Sequence, residues 1–124
     1  MLKLGRVDAL VIRTLPNTAN KRTQNYSGNN PVYYSSGAME AIVSAGIQHL
    51  LIDLPSVDKE DDGGAVRAHH IFWEYPTNPQ LHKTITEMIF VPDNVSDGYY
   101  VLDIQIAPFD IDASPSRPIL YPVV

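Results

Sequence analysis

The sequence contains no cysteine and has few positively charged residues. Its 124 residues include 9 Lys and Arg against 14 Asp and Glu, which gives a formal net charge of −5 at pH 7. The absence of cysteine excludes disulfides, thiolate metal sites and a cysteine nucleophile. The shortage of basic residues argues against a nucleic-acid-binding protein, because such proteins present a basic surface to the phosphates.

Long hydrophobic runs are missing as well. No stretch approaches the roughly 18 apolar residues of a membrane helix. The N-terminal apolar run is broken by Asp8 and lacks the features of a signal peptide. With 44% hydrophobic and 19% charged residues, the chain has enough apolar side chains to form a core. These features predict a single soluble, cytoplasmic domain over residues 1–124 that has no membrane partner.

The first half of the chain predicts a parallel strand–helix–strand unit. Residues 7–14 are apolar and β-branched, as is typical of a buried strand. Residues 15–34 are polar and aperiodic, which predicts a long loop that is either functional or shaped by a neighbour. The pair Ser35-Ser36 is expected to cap a helix over residues 37–45, and residues 47–54 are expected to form the next strand.

The second half predicts one more helix and three strands. Residues 65–75 are expected to form the helix. Residues 85–91 are apolar on both faces, which predicts a central strand. Residues 99–106 alternate as a half-buried antiparallel strand does, and the proline-flanked residues 119–123 predict an edge strand. The predicted fold class is therefore α/β, with a mixed, β-rich sheet and few short helices.

Glu87 is the most informative single residue. In the predicted strand it shares a face with Ile85 and Ile89, where a carboxylate is costly unless it is paired. One interpretation is a salt bridge to Arg13 or Arg67. The other is a metal ligand or a catalytic acid.

Two adjacent histidines, His69 and His70, form the second candidate site. Neighbouring side chains on a helix point about 100° apart, so one of the two is expected to bind a metal while the other packs. Imidazole suits zinc and manganese, and a carboxylate completes such sites. His49 and His82 are expected to be structural or solvated.

Several segments together resemble the cyclase family of metal-dependent hydrolases, which includes bacterial kynurenine formamidases. Residues 52–58 (IDLPSVD) match the family pattern I-D-x-P-S-x-D, and residues 68–70 (AHH) follow it. Residues 86–88 (TEM) match the position of a strand glutamate, and residues 113–121 (ASPSRPILY) resemble the closing segment. The resemblance covers nearly the whole chain.

The resemblance implies half of the family's swivelling β/β/α domain and a site for divalent ions such as zinc or manganese. Such ions activate water for attack on an amide or lactone carbonyl. His69 and Glu87 match the C-terminal pair of metal ligands. His70 is the one substitute that we consider for a general base. Phe72 and Trp73, together with the loop over residues 15–34, are the candidates for substrate binding.

The sequence departs from the family in lacking the N-terminal motif H-x-G-T-H-x-D-x-P-x-H, since all four histidines lie at or after His49. We therefore expect a truncated remnant that is not catalytic alone, with or without a metal. Such a remnant is expected to form a homo-oligomer and to bind a small molecule. The alternative is an active amide or lactone hydrolase completed across an oligomer interface or by a separate N-terminal partner. A third interpretation is a fragment of a longer reading frame.

Overall fold

The structure is a computed structural model that describes residues 6–123, and these form a small mixed α/β fold with short strands in two sheets. The predicted fold class is confirmed at this level. Two compact units divide the chain, Met1–Pro92 and Asp93–Val124. The single domain and the likeness to half of a swivelling domain stay predictions. No helix within residues 6–123 is long and apolar enough to cross a membrane.

The first unit contains a three-stranded parallel sheet in the order β1-β2-β3. Strand β1 covers Ala9–Ile12, β2 covers His49–Ile52 and β3 covers Thr84–Thr86. Helix α1, Ser36–Ser44, lies in the connection from β1 to β2, as a parallel pair requires a crossover. The predicted strand–helix–strand unit is confirmed, with strands shorter than predicted.

Helix α1 begins where the sequence predicts. The side-chain oxygen of Ser35 accepts a hydrogen bond from the Ala38 N–H at 3.2 Å, which satisfies one of the free amides of the first turn. Met39 and Ile42 are buried on the inner face of the helix. Gly46 follows the helix with a φ of 80°, a conformation that glycine adopts without strain.

Both helices pack on one face of the parallel sheet. Helix α2 covers Arg67–Trp73 and contacts α1. Leu50 and Ile52 lie on the same face of β2 and are fully buried beneath the helices. The core cluster consists of Met39, Ile42, Ile47, Leu50, Ile52, Leu54, Val57, Ala68 and Phe72. All of these residues belong to the first unit.

The prediction of a central strand over residues 85–91 is wrong for the described sheet. Strand β3 ends at Thr86 and lies at an edge, while β2 is central. Met88 has a φ of 60°, a left-handed conformation that interrupts an extended chain, and its N–H donates to the Leu54 carbonyl at 3.0 Å. Glu87 therefore lies directly after a strand, at a break in the pairing, and not in the middle of one.

The second unit contains a two-stranded antiparallel sheet. Strand β4 covers Tyr100–Asp103 and pairs with β5, Ile119–Pro122. The predicted antiparallel pairing and alternation are confirmed, since Leu102 is half-buried while Val101 is exposed. The alternation over residues 99–106 places Ile106 on the same face as Leu102, but Ile106 is 66% exposed because it lies beyond the paired part of β4.

The polar segment over residues 15–34 contains one short 3-10 helix, Ala19–Arg22, and no other helix or strand. A carboxylate outside the segment forms hydrogen bonds with the backbone of its C-terminal part. Glu60 accepts hydrogen bonds from the N–H groups of Gly28 and Asn30 at 2.7 and 3.1 Å. The segment is therefore held by polar contacts within the first unit.

A buried ion pair fastens the start of the same segment. The ammonium of Lys21 lies 2.7 Å from Oδ2 of Asp53, and the two side chains are 10% and 0% exposed. Asp53 also accepts hydrogen bonds from the N–H and the hydroxyl of Thr14 at 2.8 and 3.0 Å. A buried charge needs such partners, and here they join the ends of β1 and β2 to the loop.

Candidate metal centre

The carboxyl ends of β2 and β3 lie beside the candidate side chains. Parallel strands end at the same edge of a sheet, which is where ligand sites of α/β folds form. The chain that leaves β2 leads to Asp58, and Glu87 comes directly after β3. Helix α2 places His69 within contact distance of both carboxylates.

His69 contacts a carboxylate through each of its ring nitrogens. Its Nδ1 lies 2.6 Å from Oδ2 of Asp58, and its Nε2 lies 3.5 Å from Oε1 of Glu87. The side chains of His69 and Glu87 are 18% and 29% exposed, so solvent and ions reach them. The structure thus brings the two predicted ligands together, while their role as ligands stays a prediction.

Asp58 holds His69 in place. Its carboxylate accepts hydrogen bonds from Nδ1 of His69 and from the N–H groups of Ala68 and His69, at 2.6, 2.6 and 3.2 Å. Burial raises the pKa of this carboxyl, but the hydrogen bonds from His69 and Ala68 outweigh burial and leave the pKa below its usual value. An ionised carboxylate only accepts hydrogen bonds, so Nδ1 is the donor in this contact, and Nε2 is the ring nitrogen that faces Glu87.

The charged run over residues 58–62 is typical of a solvated loop, but its first residue, Asp58, is 9% exposed. The signal that pointed to it was its place as the last residue of the segment over residues 52–58. A carboxylate shortly before a predicted helix is a common helix cap, but its contact with a ligand histidine depends on the tertiary fold.

Glu87 is held by the backbone. Its Oε1, the oxygen nearest to His69, accepts a hydrogen bond from the N–H of Val57 at 3.1 Å. Val57 is fully buried in the core. The carboxylate of Glu87 thus contacts the N–H of Val57 on one side and the His69 ring on the other.

The spacing of His69 and Glu87 fits two ligands of one metal ion. Tetrahedral zinc, with bonds of about 2.0–2.2 Å to nitrogen and oxygen, separates two ligand atoms by about 3.3 Å. The 3.5 Å between Nε2 and Oε1 is close to this value. A carboxylate on the second imidazole nitrogen is the usual partner of a metal-ligating histidine. In the described part of the chain no three His, Cys, Asp or Glu side chains are arranged to hold an ion.

The other candidates on α2 have different surroundings. The ring of His70 packs against Tyr75, with centroids 4.8 Å apart, and its role as a base stays a prediction. Phe72 is fully buried and has no surface open to a ligand. Trp73 packs against the His69 ring, with centroids 5.2 Å apart, and lines an open cavity of about 400 Å³. Of the two aromatic residues predicted to bind substrate, Trp73 is the one that a ligand can reach.

The remaining histidines have contacts outside this site, as predicted. His49 Nδ1 lies 2.8 Å from the hydroxyl of Thr84, across the pairing of β2 and β3. His82 Nε2 lies 2.5 Å from the side-chain oxygen of Gln48. Both rings therefore support the sheet and its connections.

Tyr34 carries a further buried polar group of the first unit. The Tyr34 hydroxyl is buried and has no hydrogen-bond partner among the described residues. Burial, with a smaller contribution from the negative charge of Asp53, raises the pKa of Tyr34 to about 12. Its phenol therefore stays protonated at neutral pH.

No protein-family model matches the chain, and no curated protein matches it. The resemblance to the cyclase family stays a prediction that rests on the quoted motifs. The contact between His69 and Glu87 is independent of that resemblance, because it is a feature of the fold.

Proposed function

We propose that His69 and Glu87 form half of the metal site of a cyclase-type hydrolase, and that this half is not catalytic by itself. The observation that carries the proposal is the 3.5 Å spacing of Nε2 and Oε1 on a ring whose Nδ1 is already bonded to a carboxylate. Catalytic zinc usually has three protein ligands, so the missing ligands come from residues outside this pair.

Each residue of the half-site has a defined part. A divalent ion bound there, zinc or manganese, would polarise an amide or lactone carbonyl and activate a water molecule. His69 supplies a neutral nitrogen, and Glu87 supplies the negative charge that favours a cation. Trp73 forms an apolar wall beside His69. His70 remains the candidate for a general base, although its packing against Tyr75 does not favour that role.

A second copy of the chain is one source of the missing ligands. His69 and Glu87 are both partly exposed, so another chain can approach them. In a symmetric dimer, two such pairs meeting at the axis would supply four ligands. Leu81 and Tyr75, which are 93% and 55% exposed, are apolar surface that self-association would cover. The other source is a separate N-terminal partner that carries the family's histidine motif.

The second candidate function is a self-associating protein that binds a small molecule without catalysis. The observation that favours it is the open cavity of about 400 Å³, which Trp73, Tyr75 and Leu81 help to line. Aromatic and apolar walls suit a flat apolar ligand. A homo-oligomer that takes up no metal would favour this function over the hydrolase.

Native mass spectrometry of untagged protein, purified without chelator and then supplied with zinc or manganese, tests the half-site. We expect the wild type to bind about one ion per His69–Glu87 pair, or per two pairs. Glu87→Gln should lose the ion, because a neutral amide is a poor ligand for these metals. Glu40→Gln is the matched control, since it makes the same change at an exposed position of α1.

The ion content of the wild type, Glu87→Gln and Glu40→Gln distinguishes the possible results. Loss of the ion in Glu87→Gln alone would support the half-site and justify a screen of amides and lactones with the metal-loaded protein. Equal ion content in the wild type and both variants would rule out Glu87 as a ligand. The same spectra report the oligomeric state, which tests the proposed self-association.

A further inference from the structure

We propose that two consecutive residues, Val57 and Asp58, position both ligands of the half-site, and that Asp58 determines which nitrogen of His69 faces the ion. The purpose of this arrangement rests on the proposed function. The geometry does not rest on it, because the contacts of Val57 and Asp58 are hydrogen bonds within the chain itself.

The two neighbours hold the two ligands separately. The N–H of Val57 donates to Oε1 of Glu87 at 3.1 Å. The carboxylate of Asp58 accepts from Nδ1 of His69 at 2.6 Å. One dipeptide between β2 and α2 therefore sets the spacing of the imidazole and the carboxylate.

The dipeptide is itself held firmly. Val57 is fully buried, and its carbonyl accepts a hydrogen bond from the Tyr34 N–H at 2.9 Å. The N–H of Asp58 donates to the hydroxyl oxygen of Ser56 at 3.1 Å, and Asp58 is 9% exposed. Ligand geometry is maintained only when the supporting groups are fixed in this way.

Asp58 selects the tautomer of His69. A neutral imidazole donates through one nitrogen and accepts through the other. Since the carboxylate accepts from Nδ1–H, the neutral ring has its lone pair on Nε2, which lies 3.5 Å from Oε1 of Glu87. In the opposite tautomer Nε2 would carry a proton and would not bind a cation.

An asparagine at position 58 would reverse this preference. Its oxygen would still accept from the Ala68 N–H, which lies 2.6 Å from Oδ1 in the native protein. Its amide N–H would then face Nδ1 of His69 and donate to it, which favours the proton on Nε2. Asp58→Asn therefore favours the other tautomer in a side chain of the same shape, and it also removes the acceptor of the His69 N–H, which lies 3.2 Å from Oδ2 in the native protein.

The first test needs no variant at the positioning residue. Proton–nitrogen NMR of metal-free wild type with ¹⁵N-labelled histidine, at a pH at which the ring is neutral, reports the tautomer. The His69 signal is assigned by its loss in His69→Gln. We expect the proton on Nδ1, and a proton on Nε2 would overturn the proposal.

The second test compares Asp58→Asn with Asp62→Asn. Asp62 is a fair control because it also accepts backbone N–H bonds just before α2, from Gly64 and Val66 at 2.8 and 2.6 Å, with no contact to His69 among its hydrogen bonds. We expect Asp58→Asn to move the proton to Nε2 and to weaken zinc binding about 10- to 100-fold by calorimetry. Asp62→Asn should change neither.

The outcomes keep the two proposals apart. An unchanged tautomer in Asp58→Asn, or equal losses of zinc affinity in both variants, would show that Asp58 only supports the helix and would overturn its positioning role. If Glu87→Gln binds zinc as the wild type does while the tautomer shifts as expected, the half-site fails and the control of His69 by Asp58 stands.

Discussion

The two units of the chain differ in how far their apolar side chains are buried. In Met1–Pro92 the apolar side chains of the two helices, of β2 and of the adjoining connections form the buried cluster, and partly buried residues of β1 and β3 pack against it. In Asp93–Val124 the large apolar side chains are mostly exposed, and they include Tyr99, Val101, Ile106, Phe109, Ile111, Ile119 and Tyr121. Among the described residues, the core therefore belongs to the first unit.

This difference shows where the candidate site gets its rigidity. Val57 and Phe72 are fully buried, and each is a chain neighbour of a residue at the site, Asp58 and Trp73 respectively. A two-stranded ribbon with mostly exposed apolar side chains has little buried surface to lose on substitution. We expect substitutions in the first unit to be costly and comparable ones in the second unit to be nearly neutral.

Truncation of a phenylalanine in each unit should give the largest contrast. Phe72→Ala removes a fully buried ring and should lower the free energy of unfolding by about 3–5 kcal/mol. Phe109→Ala removes a ring that is 61% exposed. Its effect should stay within about 0.5 kcal/mol. Urea unfolding followed by far-UV circular dichroism measures both.

Equal losses would contradict the contrast. They would mean that Phe109 is buried in solution, and a dependence of the midpoint on protein concentration would then identify self-association as the cause. A small loss for Phe72→Ala would mean that the core relaxes around the deleted ring.

The buried ion pair should give the next largest effect. Lys21→Met keeps an apolar stem but leaves Asp53, which is fully buried, without its ammonium partner. We expect a loss of about 3 kcal/mol and faster proteolysis within residues 15–34, because the pair fastens that segment. Arg117→Met is the control in the second unit, since Arg117 is exposed.

A similar loss for Arg117→Met would show that the fold responds to net charge and not to this pair. Stability that is unchanged in Lys21→Met would show that the two hydrogen bonds from Thr14 suffice for Asp53. Either result would remove the ion pair as the reason that this loop is ordered.

Sequence patterns predicted those helices and strands that depend on interactions between residues close together in the chain. The serine cap of α1, the parallel pair on either side of it and the alternation of β4 all follow from side chains close in sequence. The end of β3 could not be predicted in this way. The left-handed conformation of Met88 is stabilised by a hydrogen bond to Leu54, more than thirty residues earlier in the chain.

The sequence singles out His69 and Glu87 but not the geometry in which they meet. The motif pointed to His69 and Glu87, and the structure places them 3.5 Å apart. Neither the partner of Lys21 nor the role of Asp58 has a periodic signature, since each depends on segments that meet only in the tertiary fold. The position of Asp53, at the end of an apolar strand, does predict that its carboxylate has a partner, although it does not say which residue that partner is.

The smallest predicted effect is in the second unit. Val101 and Tyr121 are opposite each other across β4 and β5, and both are exposed. Replacing both by alanine should weaken the ribbon by about 0.5 kcal/mol, the usual value of a cross-strand pair. Amide exchange at Leu102 should become faster.

The fluorescence of Trp73, the one tryptophan in the chain, is the control because it reports on the first unit. The unfolding midpoint measured by this fluorescence should not move. If that midpoint falls together with the exchange protection, the second unit supports the core, and the independence of the two units is refuted.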